Sequence, residues 1–185
     1  MVSFGASVYF LRSLHEYAVR FSDDGAGARF RAGVNAVLGA QGPYGEWPWL
    51  LAQRDARPLD LYPVFSVHQH SMALLFLLPA FEEGLEDAGG AIRRSLAWVR
   101  GHNQLDRPMV VDEPFFVYRS LERKLLAPRP QRFARALITL AAGGRGGLAA
   151  PAKLRINDES RSYELGWLLF ALSDRDRLTR IGERS

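Results

Sequence analysis

Apolar and polar positions repeat about every 3.6 residues over most of the chain, which is the period of an amphipathic helix. The pattern predicts seven helices separated by stretches rich in turn-forming residues. No stretch alternates convincingly between apolar and polar residues, so no strand is predicted. The predicted helices span residues 3–20, 29–40, 66–82, 90–101, 114–126, 131–142 and 160–173.

The predicted helices differ in how their apolar residues are arranged. The second, fourth and sixth each carry a single apolar stripe, which is typical of helices at a surface. The third contains the run Met72–Phe81 and the seventh the run Leu165–Leu172, and both are apolar all round apart from the Trp167 indole. This composition is typical of buried helices. The first and fifth helices are intermediate. The three stripes contain Phe30, Val34, Val37 and Leu38; Ile92, Leu96 and Val99; and Phe133, Leu137, Ile138 and Ala141.

This order of inner and outer helices predicts an all-α fold, in which antiparallel helical hairpins form an incomplete α/α-toroid. An irregular helical bundle is the alternative. Residues 1–173 are expected to form one domain and residues 174–185 a charged C-terminal tail. Because seven helices are too few to close such a ring, the end helices are expected to expose apolar surface. Self-association, or the remainder of a longer chain, would cover that surface.

Composition and charge place the chain among globular domains. Its 185 residues are 48% apolar and 24% charged, values that exclude wholesale disorder. The net charge is +4, but 24 basic residues are interspersed with 20 acidic ones, so no nucleic-acid partner is expected. The longest apolar run has ten residues and contains Pro79. With no span and no secretory signal, no membrane partner is expected and a cytoplasmic location is predicted.

Some chemistries are excluded by what the sequence lacks. The chain has no cysteine, which rules out disulfides, thiolate catalysis and cysteine-ligated metals. It has no phosphate-binding Gly-rich loop followed by Lys, no Gly-x-Ser-x-Gly elbow and no His-Glu-x-x-His. No cofactor is therefore expected.

An aromatic stretch supplies the first candidate for binding. Tyr44, Trp47, Trp49 and Tyr62 offer flat apolar faces with polar edges, which suit a sugar ring or an isoprenoid chain. In the alternative interpretation the two tryptophans only plug the end of the helical barrel. Glu46 is either an acid in contact with substrate or a charge on the rim.

Two histidines at the start of the third helix supply the second candidate. His68 and His70 lie two positions apart, so on a helix they point in nearly opposite directions and do not share a metal. No metal site is predicted. His68 lies in the first helical turn, where an imidazole that titrates near neutral pH can act as a general acid or base. A hydrogen-bonded histidine at a helix end is the alternative.

The third candidate lies before and within the seventh helix. Asp158 and Glu159 are explained by capping and by the helix dipole. Arg155, Arg161 and Tyr163 have no such explanation, and they suit the binding and protonation of a carboxylated sugar. Arg119 is expected to join them, or to pair with Glu122 or Glu113.

Three segments resemble a known group of proteins. Gly45-Glu46-Trp47-Pro48-Trp49, Tyr62–Gln69 and Arg161–Leu169 are similar to the C-terminal part of bacterial α/α-toroid proteins of poorly defined function. Their broad superfamily includes polysaccharide lyases, sugar epimerases and terpenoid cyclases. The resemblance implies a toroid fold and a role in polysaccharide metabolism. Terpenoid cyclases carry aspartate-rich motifs on inner helices, which are absent here.

The predicted function is carbohydrate processing. In a toroid the inner helices begin at one mouth, where the three candidates would meet. On a uronic acid, His68 would be the base, Tyr163 the acid and Arg161 the charge that stabilises the enolate, as in an epimerase or lyase. In a glycosidase, Glu46 and Glu164 would flank the bond instead. A non-catalytic module that binds a saccharide or a protein is the remaining alternative.

Overall fold

The computed structural model describes residues 1–124, 128–146 and 153–173. Within these ranges the chain forms six α-helices, one short π-helix and eight short strands in three antiparallel sheets. The prediction of an all-α fold is therefore wrong. The prediction of an incomplete α/α-toroid is wrong for the same reason, because paired strands occupy segments where a toroid has only helices and loops. The predicted charged tail, 174–185, lies outside the described residues.

The helices are α1 (Phe4–Phe21), α2 (Asp24–Leu38), the π-helix (Ser66–Ser71), α3 (Leu74–Glu82), α4 (Glu86–Val99), α5 (Pro128–Ala141) and α6 (Ser162–Leu172). The strands are β1 (Val2–Ser3), β2 (Leu50–Leu51), β3 (Pro58–Asp60), β4 (Val64–Phe65), β5 (Val110–Val111), β6 (Phe116–Val117), β7 (Ser120–Arg123) and β8 (Leu154–Asn157). Six of the seven predicted helices thus overlap helices of the structure, although α2 begins at Asp24 and α4 at Glu86, before the predicted residues 29 and 90. The predicted helix 66–82 is divided into the π-helix and α3.

Local capping fixes where the first two helices begin. The Ser3 hydroxyl accepts a hydrogen bond from the backbone N–H of Ala6, and the Asp23 carboxylate accepts one from Ala26 at 2.8 Å. Both side chains satisfy N–H groups that have no partner within the helix. The turn between α1 and α2 is therefore encoded locally.

The main core surrounds α3. α1 and α4 pack on α3 and α2 packs on α1, and the predicted stripes of α2 and α4 turn inward, which confirms their orientation. Burial of these apolar side chains is the largest favourable contribution to folding. The core residues include Phe4, Val8, Phe30, Val34, Trp47, Leu74, Phe76, Leu77 and Ile92.

The fifth predicted helix, 114–126, is not formed in the described residues. Phe116–Val117 and Ser120–Arg123 are strands instead. Leu121 pairs with Val64 and with Ile156, and its side chain is fully buried. Pairing with partners far away in the sequence overrides the local helical period, which is how tertiary context decides a short ambiguous segment.

Two predicted helix faces are also wrong. In α5, Leu137 and Ile138 are exposed, and Ala136 is the buried residue, packed in a small cluster with Leu50 and Leu59. In α6, which is apolar on every side, Leu169 is 72% exposed. α5 lies outside the main core, whereas α6 reaches it through Ala171 and Trp167 and leaves Leu169 and Phe170 exposed.

The three sheets have the orders β1-β2-β3, β4-β7-β8 and β5-β6. The second sheet leads directly into the π-helix, because Phe65, the last residue of β4, precedes Ser66. It therefore places the π-helix beside the ends of β7 and β8. No described helix combines the length and the apolar character needed to traverse a lipid bilayer.

Candidate functional site

An open cleft of about 340 Å³ lies beside the sheet β4-β7-β8. Its volume is within the range that small-molecule sites occupy. The loops before β2 and β4, the π-helix, β7, the end of β8 and α5 all contribute side chains. The lining residues are Trp49, Tyr62, Pro63, Phe65, His68, Arg119, Glu122, Arg123, Arg132 and Asn157.

Aromatic rings form one wall of the cleft. Trp49 and Phe65 pack with their ring centroids 4.9 Å apart, and the Arg132 guanidinium lies 5.4 Å from the centre of the Trp49 ring. The Arg119 guanidinium lies 5.5 Å from the centre of the Phe65 ring. A flat ring edged by cations suits a ligand that is apolar on one face and anionic at its edge.

A buried glutamine holds this wall in place. The Gln69 side chain accepts a hydrogen bond from the backbone N–H of Phe65 at 2.6 Å and donates one to the carbonyl oxygen of Trp47. It thereby joins β4 to the loop that carries Trp49. The backbone N–H of Trp49 also donates a hydrogen bond to the carbonyl oxygen of Leu61, which further fixes the position of Trp49.

A triad of charged side chains lies at the His68 end of the cleft. Glu159 forms salt bridges with Arg161, at 2.6 Å, and with Arg119. Hydrogen bonds from Arg161 and then Arg119 lower the pKa of the Glu159 carboxyl, and Glu159 in turn raises the pKa of Arg161. Two guanidinium groups thus share one carboxylate, which leaves one positive charge for a ligand.

His68 is half-buried beside this triad. Its ring lies 5.5 Å from the Phe65 ring and 6.2 Å from the Tyr163 ring. Its Nδ1 lies 3.3 Å from the Met72 sulfur, and because a thioether sulfur only accepts, this contact favours the tautomer with the proton on Nδ1 and the free electron pair on Nε2. Burial, and then the charges of Arg119 and Arg161, lower the pKa of His68. The ring is therefore neutral at neutral pH and fit to act as a base.

A second charged pair lies between β7 and β8. Glu122 and Arg155 face each other across the two strands and form a salt bridge of 2.7 Å. Arg155 is thus held at the edge of the cleft through a residue that lines it. At the His68 end of the described site, Arg119 and Arg161 stand against Glu159 alone, so this end is cationic.

The structure brings together only part of the predicted site. Trp49, Tyr62, His68 and Arg119 line the cleft, and Tyr163 and Arg161 lie next to His68. Trp47 does not reach it, because its indole is fully buried, stacks on Phe4 and donates a hydrogen bond to Ser95 at 2.8 Å. Trp47 is therefore a core residue, and it neither lines the cleft nor plugs the end of a helical barrel.

Tyr44 and Glu46 do not line the cleft, although the Glu46 charge acts on Tyr62, which does. The Glu46 carboxylate is buried in its own turn and accepts a hydrogen bond from the backbone N–H of Tyr44 at 2.9 Å. Burial raises the pKa of Glu46. A side chain at Gly42 would collide with this carboxylate. Glu46 thus stabilises a turn, and it is not among the residues that line the cleft. The side chain of Glu164 lies outside the described part.

Sequence reasoning missed the arginines of β7 and α5. Arg123 and Arg132 line the cleft, and Arg123 forms a buried salt bridge with Asp60, 63 positions earlier in the chain. No local pattern marks such a pair. Aromatic and imidazole side chains carry a chemical signal in the sequence, but of the two tryptophans and the two histidines only Trp49 and His68 line the cleft.

His68 and His70 lie in different environments. His68 lines the cleft, whereas His70 is buried against the Trp98 ring. Among the residues that the structure describes, no three histidine or carboxylate side chains come together in a way that could hold a metal ion.

Comparisons of the chain with protein-family models, with curated proteins and with solved structures found no match.

Proposed function

We propose that the cleft binds a carboxylated saccharide, and that His68 removes the proton from the carbon next to the carboxylate. The observation that carries the proposal is a neutral imidazole placed between an aromatic wall and the triad Arg119-Glu159-Arg161. Proton abstraction at this carbon places negative charge on the carboxylate oxygens, and a guanidinium group at that position stabilises it.

A β-elimination, the reaction of a lyase, is the chemistry that this arrangement favours. The Nε2 atom of His68 takes the proton, the carbon–oxygen bond at the neighbouring carbon breaks, and a carbon–carbon double bond forms. Tyr163 gives its phenolic proton to the leaving oxygen. The rings of His68 and Tyr163 are neighbours, so base and acid act from one side of the sugar. An epimerase would need them on opposite sides of the same carbon.

The experiment uses the complete chain and three probes: homopolymers of galacturonate, of mannuronate and of glucuronate. Formation of the unsaturated product is followed by ultraviolet absorbance and by proton NMR. We expect turnover of at least one polymer, and a loss of about 10²–10⁴-fold in His68→Asn, because a positioned base contributes that much. The rate of the wild type should fall in acid, with its midpoint below 6.5, since protonated His68 is not a base.

His102→Asn is the matched control, because His102 is exposed and does not line the cleft. It should retain full activity. If the carbon next to the carboxylate takes up solvent deuterium with inversion, and no unsaturated product forms, the reaction is that of an epimerase and not of a lyase. Binding without any reaction would favour a non-catalytic saccharide-binding module, and no binding to any of the three polymers would overturn the proposal. We also propose a cytoplasmic location for the protein, as the sequence predicts.

A further inference from the structure

Three buried polar side chains form a cluster, the floor, at the part of the cleft that Tyr62 and Arg123 line. Asp60 does not line the cleft and is joined to it through Arg123. Asp60, Tyr62 and Arg123 are 1%, 2% and 8% exposed. They come from the end of β3, the loop after it and the end of β7. Tyr62 and Arg123 line the cleft directly. The proposed reaction uses none of the three.

Their mutual contacts make the floor electrically neutral. The Arg123 guanidinium donates a hydrogen bond to Asp60 at 2.7 Å, and it lies 4.8 Å from the centre of the Tyr62 ring. Arg123 therefore already has a counter-ion. This distinguishes the floor from the His68 end of the cleft, where two arginines share a single carboxylate.

Each of the three residues retains unused hydrogen-bonding capacity. The second carboxylate oxygen of Asp60, the hydroxyl of Tyr62 and the Nε of Arg123 are buried and have no hydrogen-bond partner among the described residues. Buried polar groups in proteins are nearly always paired, so three such atoms in one cluster are unusual. Burial raises the pKa of Tyr62, which keeps its hydroxyl protonated and able to donate.

We propose that Asp60, Tyr62 and Arg123 form a subsite for sugar hydroxyl groups, which fixes the orientation of the saccharide in the cleft. The floor offers two donors, Tyr62 O–H and Arg123 Nε–H, and one acceptor, Asp60. A hydroxyl group both accepts and donates, and it is uncharged, so it matches all three. A carboxylate matches poorly, because Asp60 repels it.

The inference rests on the proposed function and adds the orientation of the substrate to it. With its hydroxyl edge on the floor, the sugar presents its carboxylate to Arg119 and Arg161 and the adjacent carbon to His68. A site built to hydrogen-bond a hydroxyl strongly rejects an analogue that lacks it, because the buried protein groups are then left unpaired. The floor is thus the part of the cleft that selects among sugars of equal charge.

The test compares Tyr62→Phe with the wild type by isothermal titration calorimetry. The probes are an oligogalacturonate, a series of its monodeoxy analogues and a neutral oligoglucoside. We expect Tyr62→Phe to bind the oligogalacturonate about tenfold more weakly, the loss of one hydrogen bond. One monodeoxy analogue should bind the wild type about tenfold more weakly as well, and should lose no further affinity in Tyr62→Phe.

Thermal unfolding separates this effect from misfolding. The Tyr62 hydroxyl has no described partner, so Tyr62→Phe should melt at the wild-type temperature or above it. Tyr17→Phe, which removes a hydroxyl from the exposed face of α1, is the matched control and should bind as the wild type does.

The outcomes separate the two proposals. Equal binding of the oligogalacturonate to the wild type and to Tyr62→Phe overturns the subsite and leaves the carboxylate site standing. Binding of the oligoglucoside alone, weakened by Tyr62→Phe, supports the subsite and overturns the carboxylate site. Binding of the oligoglucoside alone, unaffected by Tyr62→Phe, overturns both, as does the absence of binding to either probe.

Discussion

His70 illustrates how burial acts on a single residue. The residue is 2% exposed, and its ring stacks on Trp98 with the centroids 4.2 Å apart. Burial lowers the pKa of His70 to about 3, while a backbone contact with Ser95 opposes the shift. In the unfolded chain the same imidazole titrates near 6.5. Between about pH 3 and about pH 6.5, the imidazole is therefore protonated in the unfolded chain and neutral in the folded protein.

This difference makes stability fall in acid. Below the unfolded pKa of 6.5 the unfolded state binds the proton and the native state does not, down to the folded pKa of about 3. Each pH unit in that window costs about 1.4 kcal/mol. From about pH 7.5 to about pH 5 we expect the free energy of unfolding to decrease by about 2 kcal/mol through this residue.

Urea denaturation at several pH values checks this expectation. His70→Phe keeps a ring against Trp98 but cannot titrate, so its unfolding free energy should depend less on pH. The part due to His68, whose pKa is also lowered, should persist. The control is His102→Phe at an exposed position. A pH dependence in His70→Phe as steep as in the wild type would contradict the assignment.

At the scale of elements, the π-helix and β4 determine the shape of the cleft. Five of the six residues of the π-helix are buried, and His68 is the exception that lines the cleft. Gln69, the next residue, connects this element to the loop before β2. The geometry of the aromatic wall thus depends on one amide side chain.

Gln69→Leu should destabilise the protein by about 2–4 kcal/mol, because the Phe65 N–H and the Trp47 carbonyl would each lose a buried partner. The free energy of unfolding in urea measures this loss, and weaker binding of polyuronate should accompany it at temperatures where the variant is folded. Gln53→Leu, at an exposed turn, is the control and should change the unfolding free energy by less than about 0.5 kcal/mol. If Gln69→Leu lowers the free energy of unfolding no more than the control does, the two hydrogen bonds of Gln69 do not stabilise the protein.

The strands escape prediction because they are short. None of the eight described strands exceeds four residues, and several have two. A period of two cannot be recognised over two residues. In contrast, α1 to α4 span between nine and eighteen residues and show their helical period clearly.

At the scale of the whole molecule, the buried salt bridge between Asp60 and Arg123 joins two sheets. Asp60 ends β3 of the first sheet, and Arg123 ends β7 of the second. Both side chains are more than nine-tenths buried. A buried ion pair is costly to break, because the remaining charge has neither a counter-ion nor water.

Asp60→Asn should therefore lower the free energy of unfolding by about 3–5 kcal/mol. The double variant Asp60→Leu with Arg123→Met should recover much of this loss, since it leaves no unpaired buried charge. Equilibrium unfolding of the single and double variants gives the comparison. Glu16→Gln, in the exposed pair with Arg12, is the control, with an expected change below about 0.5 kcal/mol. Equal losses in the single and double variants would contradict this account of the pair.

Taken by itself, the sequence determined the positions of α1 to α4 and the inward faces of α2 and α4. Capping residues and apolar stripes act between neighbours in the chain, so they can be read locally. Trp49, Tyr62, His68 and Arg119, which the sequence predicts as site residues, line the cleft, and their role there stays a prediction.

Only the tertiary structure decided the sheets, the exposure of α6 and the composition of the cleft. β7 lies between β4 and β8, which are distant in the sequence, and Arg123 meets Asp60 only through that pairing. Trp47 and Trp49 are the same residue type and lie two positions apart in the sequence. Trp47 nevertheless lies in the core, whereas Trp49 lines the cleft. Such differences arise from contacts between distant residues, and these contacts form only when the chain is folded.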